Sequence, residues 1–278
     1  MADLEVAIAD AVAGWGADHV TIAVRRGDDD PLVVGDPDHV YALASVTKLF
    51  TAVATLVAVE EGALALDQPA GPPGATVEHL LAHTSGLGFD GSEPLTRPGR
   101  RRIYSNAGFE ALADSVAEAS GIDFVTYATE AVLEPLRLTA TVVTGSPAAG
   151  WRSTATEVLT LVDQVRRPTV VTPETMARAT TVAFPGLAGV LPGVGRYDPL
   201  DWGLGFEIRD GKVPHWTGTA NSPRTVGHFG GRGTFAWSDP DADTTCVALS
   251  DRGFGDWALQ VWPELSDLLL TNGDSRPT

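Results

Sequence analysis

The sequence predicts an α+β fold in which both ends of the chain build one antiparallel sheet around a mostly helical middle. Three observations carry this. Strand-like runs lie at 20–34 and again after Trp202, while the stretch from about 67 to 200 is dominated by helix signals. The strands at each end are joined by turns too short for a parallel crossover, so neighbours must pair antiparallel. With 278 residues, 44% of them hydrophobic and 20% charged, the chain suffices for one unit spanning 1–278 with a substantial core, the helical middle being an insertion.

The elements follow in order. Residues 4–15 form an amphipathic helix. Val20-Thr-Ile-Ala-Val24 is a strand, the acidic turn Asp28-Asp29-Asp30-Pro31 reverses it, and Leu32-Val33-Val34 completes a hairpin. From Val46 to Glu61 the chain is apolar nearly all round and stops at Gly62, the pattern of a central helix buried on most faces with Gly62 as its C′ residue. In the middle, Thr76 to Ala82 makes a short helix, Asn106 to Ser120 a longer one ended by Gly121, and Asp123 to Leu133 another closed by Pro135. Thr154-Ala-Thr-Glu157 fits a capping box opening a helix through Val165, and Thr172-Pro173 sets an N-cap and an N1 proline before a further helix. Strands are expected at 204–209, 224–229, 233–238 and 244–250, then a last helix at about 255–270 and a polar tail.

A net charge of −17, from 19 basic and 36 acidic residues, argues against nucleic acid or an anionic membrane as partner. No run of uncharged apolar residues is long enough for a transmembrane helix. The opening Met1-Ala-Asp-Leu-Glu5 has neither a basic n-region nor an apolar h-region, so a cytoplasmic location is expected. Cys246, alone and inside an apolar run, reads as a buried strand thiol. Only two of the basic residues are lysines, Lys48 and Lys212, which raises the question of why one stands at position 48.

Ser45-Val-Thr-Lys48 opens the central helix. Positions three apart share a helix face, so the hydroxyl and the amine can meet if helical geometry begins at Ser45. Burial and the positive end of the helix dipole both disfavour the ammonium, which makes a neutral amine able to take the serine proton near pH 7. The plain alternative is an N-capping serine. Tyr104-Ser-Asn106 precedes the next long helix; a phenol near Lys48 would ionise more easily and relay a proton, and the Asn106 amide would hold Lys48 and a substrate carbonyl. A packed loop tyrosine and a capping asparagine are the simpler reading. His228-Phe-Gly230-Gly231 ends a strand, and its paired glycines suit either a backbone amide aimed at an oxyanion or an ordinary bulge.

In order and separation these three motifs resemble those of the penicillin-recognising serine hydrolases, in particular the class C β-lactamase, D-alanyl-D-alanine carboxypeptidase and esterase branch, whose second motif begins with Tyr. Leu80-Leu-Ala-His83-Thr-Ser-Gly-Leu87, Glu134-Pro-Leu136, Ser153-Thr-Ala155 and Trp202-Gly-Leu-Gly-Phe206 match the family's phrasing, and the resemblance covers about residues 20 to 255. It implies a β-lactamase/transpeptidase-like fold without a cofactor or metal. It also implies Ser45 as acylated nucleophile, Lys48 as its activating amine and Tyr104 as general acid/base. Asn106 would position the acyl side and His228 would stand where many relatives have Lys. Gly230 belongs to the same motif, and the amides of Ser45 and Gly231 would form the oxyanion hole.

The third motif departs from the lactamase pattern. Where Lys and a hydroxyl residue hold a substrate carboxylate, this chain has His228 and Phe229; losing such a charge-assisted partner costs about 1.5–3 kcal/mol. A small neutral ester is therefore expected over a β-lactam or a D-peptide amide, with a non-catalytic acyl-binding or sensor module as the rival. Three further features have two readings each. His79 and His83, one helical turn apart, have zinc-like spacing but no third ligand. Arg100-Arg101-Arg102 reads as a solvated basic loop or as a replacement anion site. Trp151, Trp202, Trp216 and Phe229 are pocket lining or core.

Overall fold

The structure is a computed structural model and describes residues 2–271. Its main sheet has six strands, all antiparallel, in the spatial order Leu32–Val34, Val20–Arg26, Thr244–Ser250, Thr234–Asp239, Val226–Gly230 and Glu207–Ile208. The hairpin from the start of the chain thus pairs with the last strand, as expected from strands at both ends.

Both faces of this sheet are covered, which is why its strands read as continuous apolar runs. Ala23, Ala236, Val247 and Leu249 point to one side, into a core built around the central helix Thr47–Glu60. Ile22, Val24, Phe235, Trp237, Cys246 and Ala248 alternate to the other. There they meet Trp262, Leu265 and Leu269 of the terminal helix Asp256–Thr271, with Ile8 of the first helix Ala2–Ala13. Cys246 is buried in its strand, and burial pushes its thiol pKa up. The expected polar tail lies outside the described residues.

The central helix is buried along Thr47–Ala58 and ends with Gly62 at φ +75, the left-handed C′ residue its sequence required. Asn106–Ser120 has the expected bounds and the expected Gly121 end. Elsewhere local chemistry changes the outcome. Phe124–Ala128 continues through a π-helical stretch, Thr129–Leu133, into Glu134–Leu136, so Pro135 sits inside the last turn and Arg137 at φ +57 ends it. Thr154 accepts from the Glu157 amide at the head of Ala155–Val162, but the Glu157 carboxylate turns away to the Ala140 amide (2.7 Å) and the Thr141 hydroxyl (2.6 Å). Only half of the capping box forms.

The stretch at 204–209 yields only Glu207–Ile208, because Gly205 at φ +90 lies where a Cβ would meet the Ala52 Cβ at 2.1 Å. Its sequence serves close approach to the central helix rather than a strand. Two small sheets interrupt the helical middle. Tyr41–Ala42 pairs with Arg152–Ser153, and Arg102–Ile103 lies parallel to Gly189–Leu191, which pairs with Gly195–Tyr197. No helix among the described residues is long and apolar enough to cross a membrane.

Candidate active site

Ser45 lies in a 3-10 turn, Ala44–Val46, that leads directly into the central helix, so helical geometry does begin at the serine. Ala44 is held at φ +47, a conformation uncommon for a residue with a side chain. What holds it is the strand Val226–Gly230. A Cβ on Gly230 would come within 2.4 Å of the Leu43 carbonyl and 3.1 Å of the Ala44 Cβ, and the Thr234 hydroxyl donates to that same carbonyl at 2.8 Å. Gly230 therefore allows the close approach that seats the serine turn against the sheet.

Lys48 is fully buried, and its amine reaches the Asn106 side-chain oxygen at 2.6 Å, the Ala148 carbonyl at 2.9 Å and the Ser45 hydroxyl at 3.4 Å. Burial lowers its pKa from 10.5 to about 7, although Glu110 and Asp90 pull the other way. A neutral amine has two N–H groups and one lone pair. The two carbonyl oxygens can only accept, so they take the N–H groups. The lone pair of the neutral form is then left to face Ser45, 3.4 Å away, where it can take the hydroxyl proton.

The second motif meets this pair from the neighbouring helix. Ser105, not Asn106, caps that helix by accepting from the Gly108 amide at 2.8 Å, which leaves the Asn106 amide free to reach Lys48. The Tyr104 ring lies 4.8 Å from the Lys48 amine, on the same side as Ser45. The expected easy ionisation of this phenol is not met. Burial raises its pKa well above 10, and the neighbouring Ser45 hydroxyl offsets this only in part, so Tyr104 stands as a neutral proton donor.

His228 is buried beside Tyr104, with Nε2 3.4 Å from the phenol and Nδ1 2.7 Å from the Phe229 carbonyl. A carbonyl only accepts, so the ring proton sits on Nδ1 and the Nε2 lone pair faces the Tyr104 O–H. Burial, reinforced by the charge of Lys48, brings its pKa down to about 3. The side chain of this third motif thus carries no charge. Gly231 is exposed at the end of the strand and its carbonyl accepts from the Phe254 amide at 3.1 Å.

Two hollows adjoin these residues. A cleft of about 700 Å³ has Asn106 on its wall with Leu87, Asp90, Glu110, Asp114 and Ser146, and a smaller one of about 380 Å³ has Tyr104 with Phe89, Leu95, Ile103, Val190 and Pro192.

The other sequence candidates resolve as follows. Arg100 and Arg101 are exposed, but Arg102 is buried and gives its guanidinium to the carbonyls of Leu200, Ala82, Ala183 and Phe184. It is a structural clamp rather than part of a solvated basic loop or an anion site. His79 bonds the Thr76 hydroxyl at 2.9 Å and packs on Phe184, while His83 accepts from the Ser105 amide, so the two rings do not converge on a metal. Trp151 and Trp216 belong to the two cores, Phe229 packs with Trp216, and Trp202 lies buried against Tyr104 and His228. The sequence gives no sign of the Ala148 carbonyl, since backbone groups carry none. Lys212, the second lysine, is also buried, 3.5 Å from Glu207. Both lysines are thus buried.

A family model described as Beta-lactamase matches residues 30–270. A crystal structure of a protein from Mycobacterium bovis, described as a beta-lactamase, is 51% identical with a TM-score of 0.93, covering 95% of this chain and 98% of that one. D-alanyl-D-alanine-carboxypeptidase/endopeptidase AmpH of Escherichia coli (strain K12) is 31% identical over 147 residues, 40% of this chain and 38% of its own. Esterase EstB of Burkholderia gladioli is 33% identical over 137 residues, 44% of this chain and 31% of its own. The matched stretch spans about a third of each of these two curated relatives. The β-lactamase/transpeptidase-like fold is therefore the one this sequence adopts, and the chain belongs to the beta-lactamase family.

Proposed function

We propose that the protein is a serine hydrolase that forms an acyl-enzyme on Ser45 and acts on small neutral carboxylic esters. The observation that carries the reading is the Lys48 amine, buried, near pKa 7, with its lone pair free for the Ser45 proton 3.4 Å away. Ser45 Oγ attacks the ester carbonyl as its proton moves to Lys48 Nζ. The oxyanion forms beside the Ser45 and Gly231 amides, and the Tyr104 phenol gives its proton to the departing alkoxide. Lys48 returns the serine proton to the phenolate, and water then releases the acid by the reverse sequence, regenerating Ser45.

Preference for a neutral ester rests on charge. His228 is uncharged, Phe229 donates nothing, and Asp90, Glu110 and Asp114 line the cleft beside Asn106, so that cleft offers a substrate carboxylate no cation, although Arg101 lines the smaller hollow beside Tyr104. Amide hydrolysis is the second reading, favoured by the description of the 51% identical protein as a beta-lactamase.

Incubation with a fluorophosphonate and with p-nitrophenyl butyrate, read by intact mass and by turnover, tests the proposal against Ser45→Ala. A Ser45-dependent adduct and turnover are expected, with kcat/KM for the ester above that for nitrocefin. Absence of an adduct would leave a non-catalytic binding module, and nitrocefin turnover equal to or above the ester would favour the amide reading.

A further inference from the structure

His83 takes no part in the chemistry above, yet its backbone sits at φ +57, a region that residues other than glycine rarely occupy. Strain at such a position persists where the side chain is needed there. From this one residue two contacts reach the second motif and a third reaches Ile103, the residue before it. The His83 carbonyl accepts the Ile103 amide at 2.8 Å, Nδ1 accepts the Ser105 amide at 3.1 Å, and the ring packs on Tyr104 with centroids 4.7 Å apart. An amide can only donate, so Nδ1 carries the lone pair and the ring proton sits on Nε2. Phe109 and Trp202 enclose the ring at 5.1 and 4.9 Å, leaving it 1% exposed.

The consequence falls on the residues either side of Ser105. Its hydroxyl caps the helix that starts at Asn106 and donates to the Gly88 carbonyl at 2.6 Å, so the place of Ser105 sets both the Tyr104 phenol and the Asn106 amide. We propose that His83 is a positioning residue, whose Nδ1 lone pair and ring hold Tyr104-Ser105-Asn106 so that phenol and amide arrive together at Ser45 and Lys48. The kinetic part of this inference rests on the hydrolase reading.

Two variants separate positioning from filling. Asn tolerates the left-handed backbone and can offer its side-chain oxygen close to where Nδ1 lies, whereas the Gln oxygen reaches toward the Nε2 position and leaves the Ser105 amide unpaired. For His83→Asn, kcat is expected within roughly tenfold of the parent. For His83→Gln it is expected roughly ten- to a hundredfold lower again, with KM changing less than kcat. A residue that only fills volume gives the opposite order, because Gln leaves the smaller hole; Gln matching or exceeding Asn overturns the proposal.

Nitrogen-15 NMR of the parent gives an arm that depends neither on the variants folding nor on turnover. It should find the His83 ring neutral at pH 7, because burial pushes its pKa down, with its proton on Nε2, and a proton on Nδ1 overturns the assignment. Parent turnover that is unaffected by Ser45→Ala would sink the hydrolase reading alone, with the NMR result still deciding the Nδ1 assignment.

Discussion

The Lys48 amine stands 2.6 Å from the Asn106 side-chain oxygen and 3.4 Å from the Ser45 hydroxyl, so its tightest side-chain partner is a neutral carbonyl rather than the serine. A carbonyl dipole fixes the amine without the negative charge that would keep it protonated. In Asn106→Asp a carboxylate takes that place and favours the ammonium, raising the Lys48 pKa by roughly 1–3 units. The acid limb of kcat/KM, expected near pH 7 in the parent, should climb by that amount, with neutral-pH turnover falling accordingly. A limb that stays in place would separate Lys48 ionisation from the rate.

Lys48→Arg keeps a cation but removes the base. A guanidinium does not deprotonate in this pH range and carries no lone pair to face Ser45. Turnover and fluorophosphonate labelling should fall roughly 10²–10⁴-fold, most simply read by intact mass over a time course. Labelling at the parental rate would remove Lys48 from the mechanism.

His228→Lys tests the charge argument. A cation at this strand position supplies the carboxylate partner that the parent lacks, so nitrocefin or another carboxylate-bearing acyl donor should gain roughly ten- to a hundredfold in kcat/KM relative to p-nitrophenyl butyrate. A second cation beside Lys48 also disfavours its ammonium, so the acid limb should move below about pH 7. If the ratio of the two substrates is unchanged, position 228 does not set the preference.

How much of this the sequence discloses depends on whether a residue speaks through its side chain or its backbone. Ser45 and Lys48 were legible because a helix places residues three apart on one face, and a lysine in a buried first turn has no structural motive. Asn106 was legible only as one of two roles, and the choice was made by Ser105 taking the cap. Arg102 was misread because it ends a run of three arginines, of which the other two are exposed. The strands at Arg102–Ile103 and Gly189–Leu191 are two and three residues long, too short for a period of two to register. The Ala148 carbonyl and the left-handed backbone at Ala44 and His83 exist only once the chain has folded.

Gly230→Ala tests the seating of the serine turn. The added Cβ meets the Leu43 carbonyl at 2.4 Å and the Thr234 hydroxyl at 2.5 Å, both held by their mutual hydrogen bond, so either the strand or the serine turn must move. Overpacking of this kind costs about 1–3 kcal/mol. The fall in urea midpoint should be accompanied by a loss of Ser45 labelling larger than the residual folded fraction explains. Full labelling in the folded variant would show that the close contact at Gly230 does not place the serine.

Glu207 links the same edge of the sheet to acid stability. Burial pushes its carboxyl pKa up, but the charges of His215 and Lys212, with hydrogen bonds from His215 and Trp216, outweigh this and bring it from 4.5 to about 2. Because the folded-state value lies below the unfolded one, the unfolded chain binds more protons between about pH 4.5 and 2. Stability from this group is then fully present above about pH 4.5 and is lost as pH falls through about 2. Glu207→Gln removes the titration while leaving His215 and Lys212 without their carboxylate, so the variant should be less stable than the parent at pH 7 and lose less on acidification. Urea unfolding from pH 7 down to about 2 checks both halves. Parallel stability curves would mean that Glu207 titrates alike in both states, and that its partners do not hold the charge.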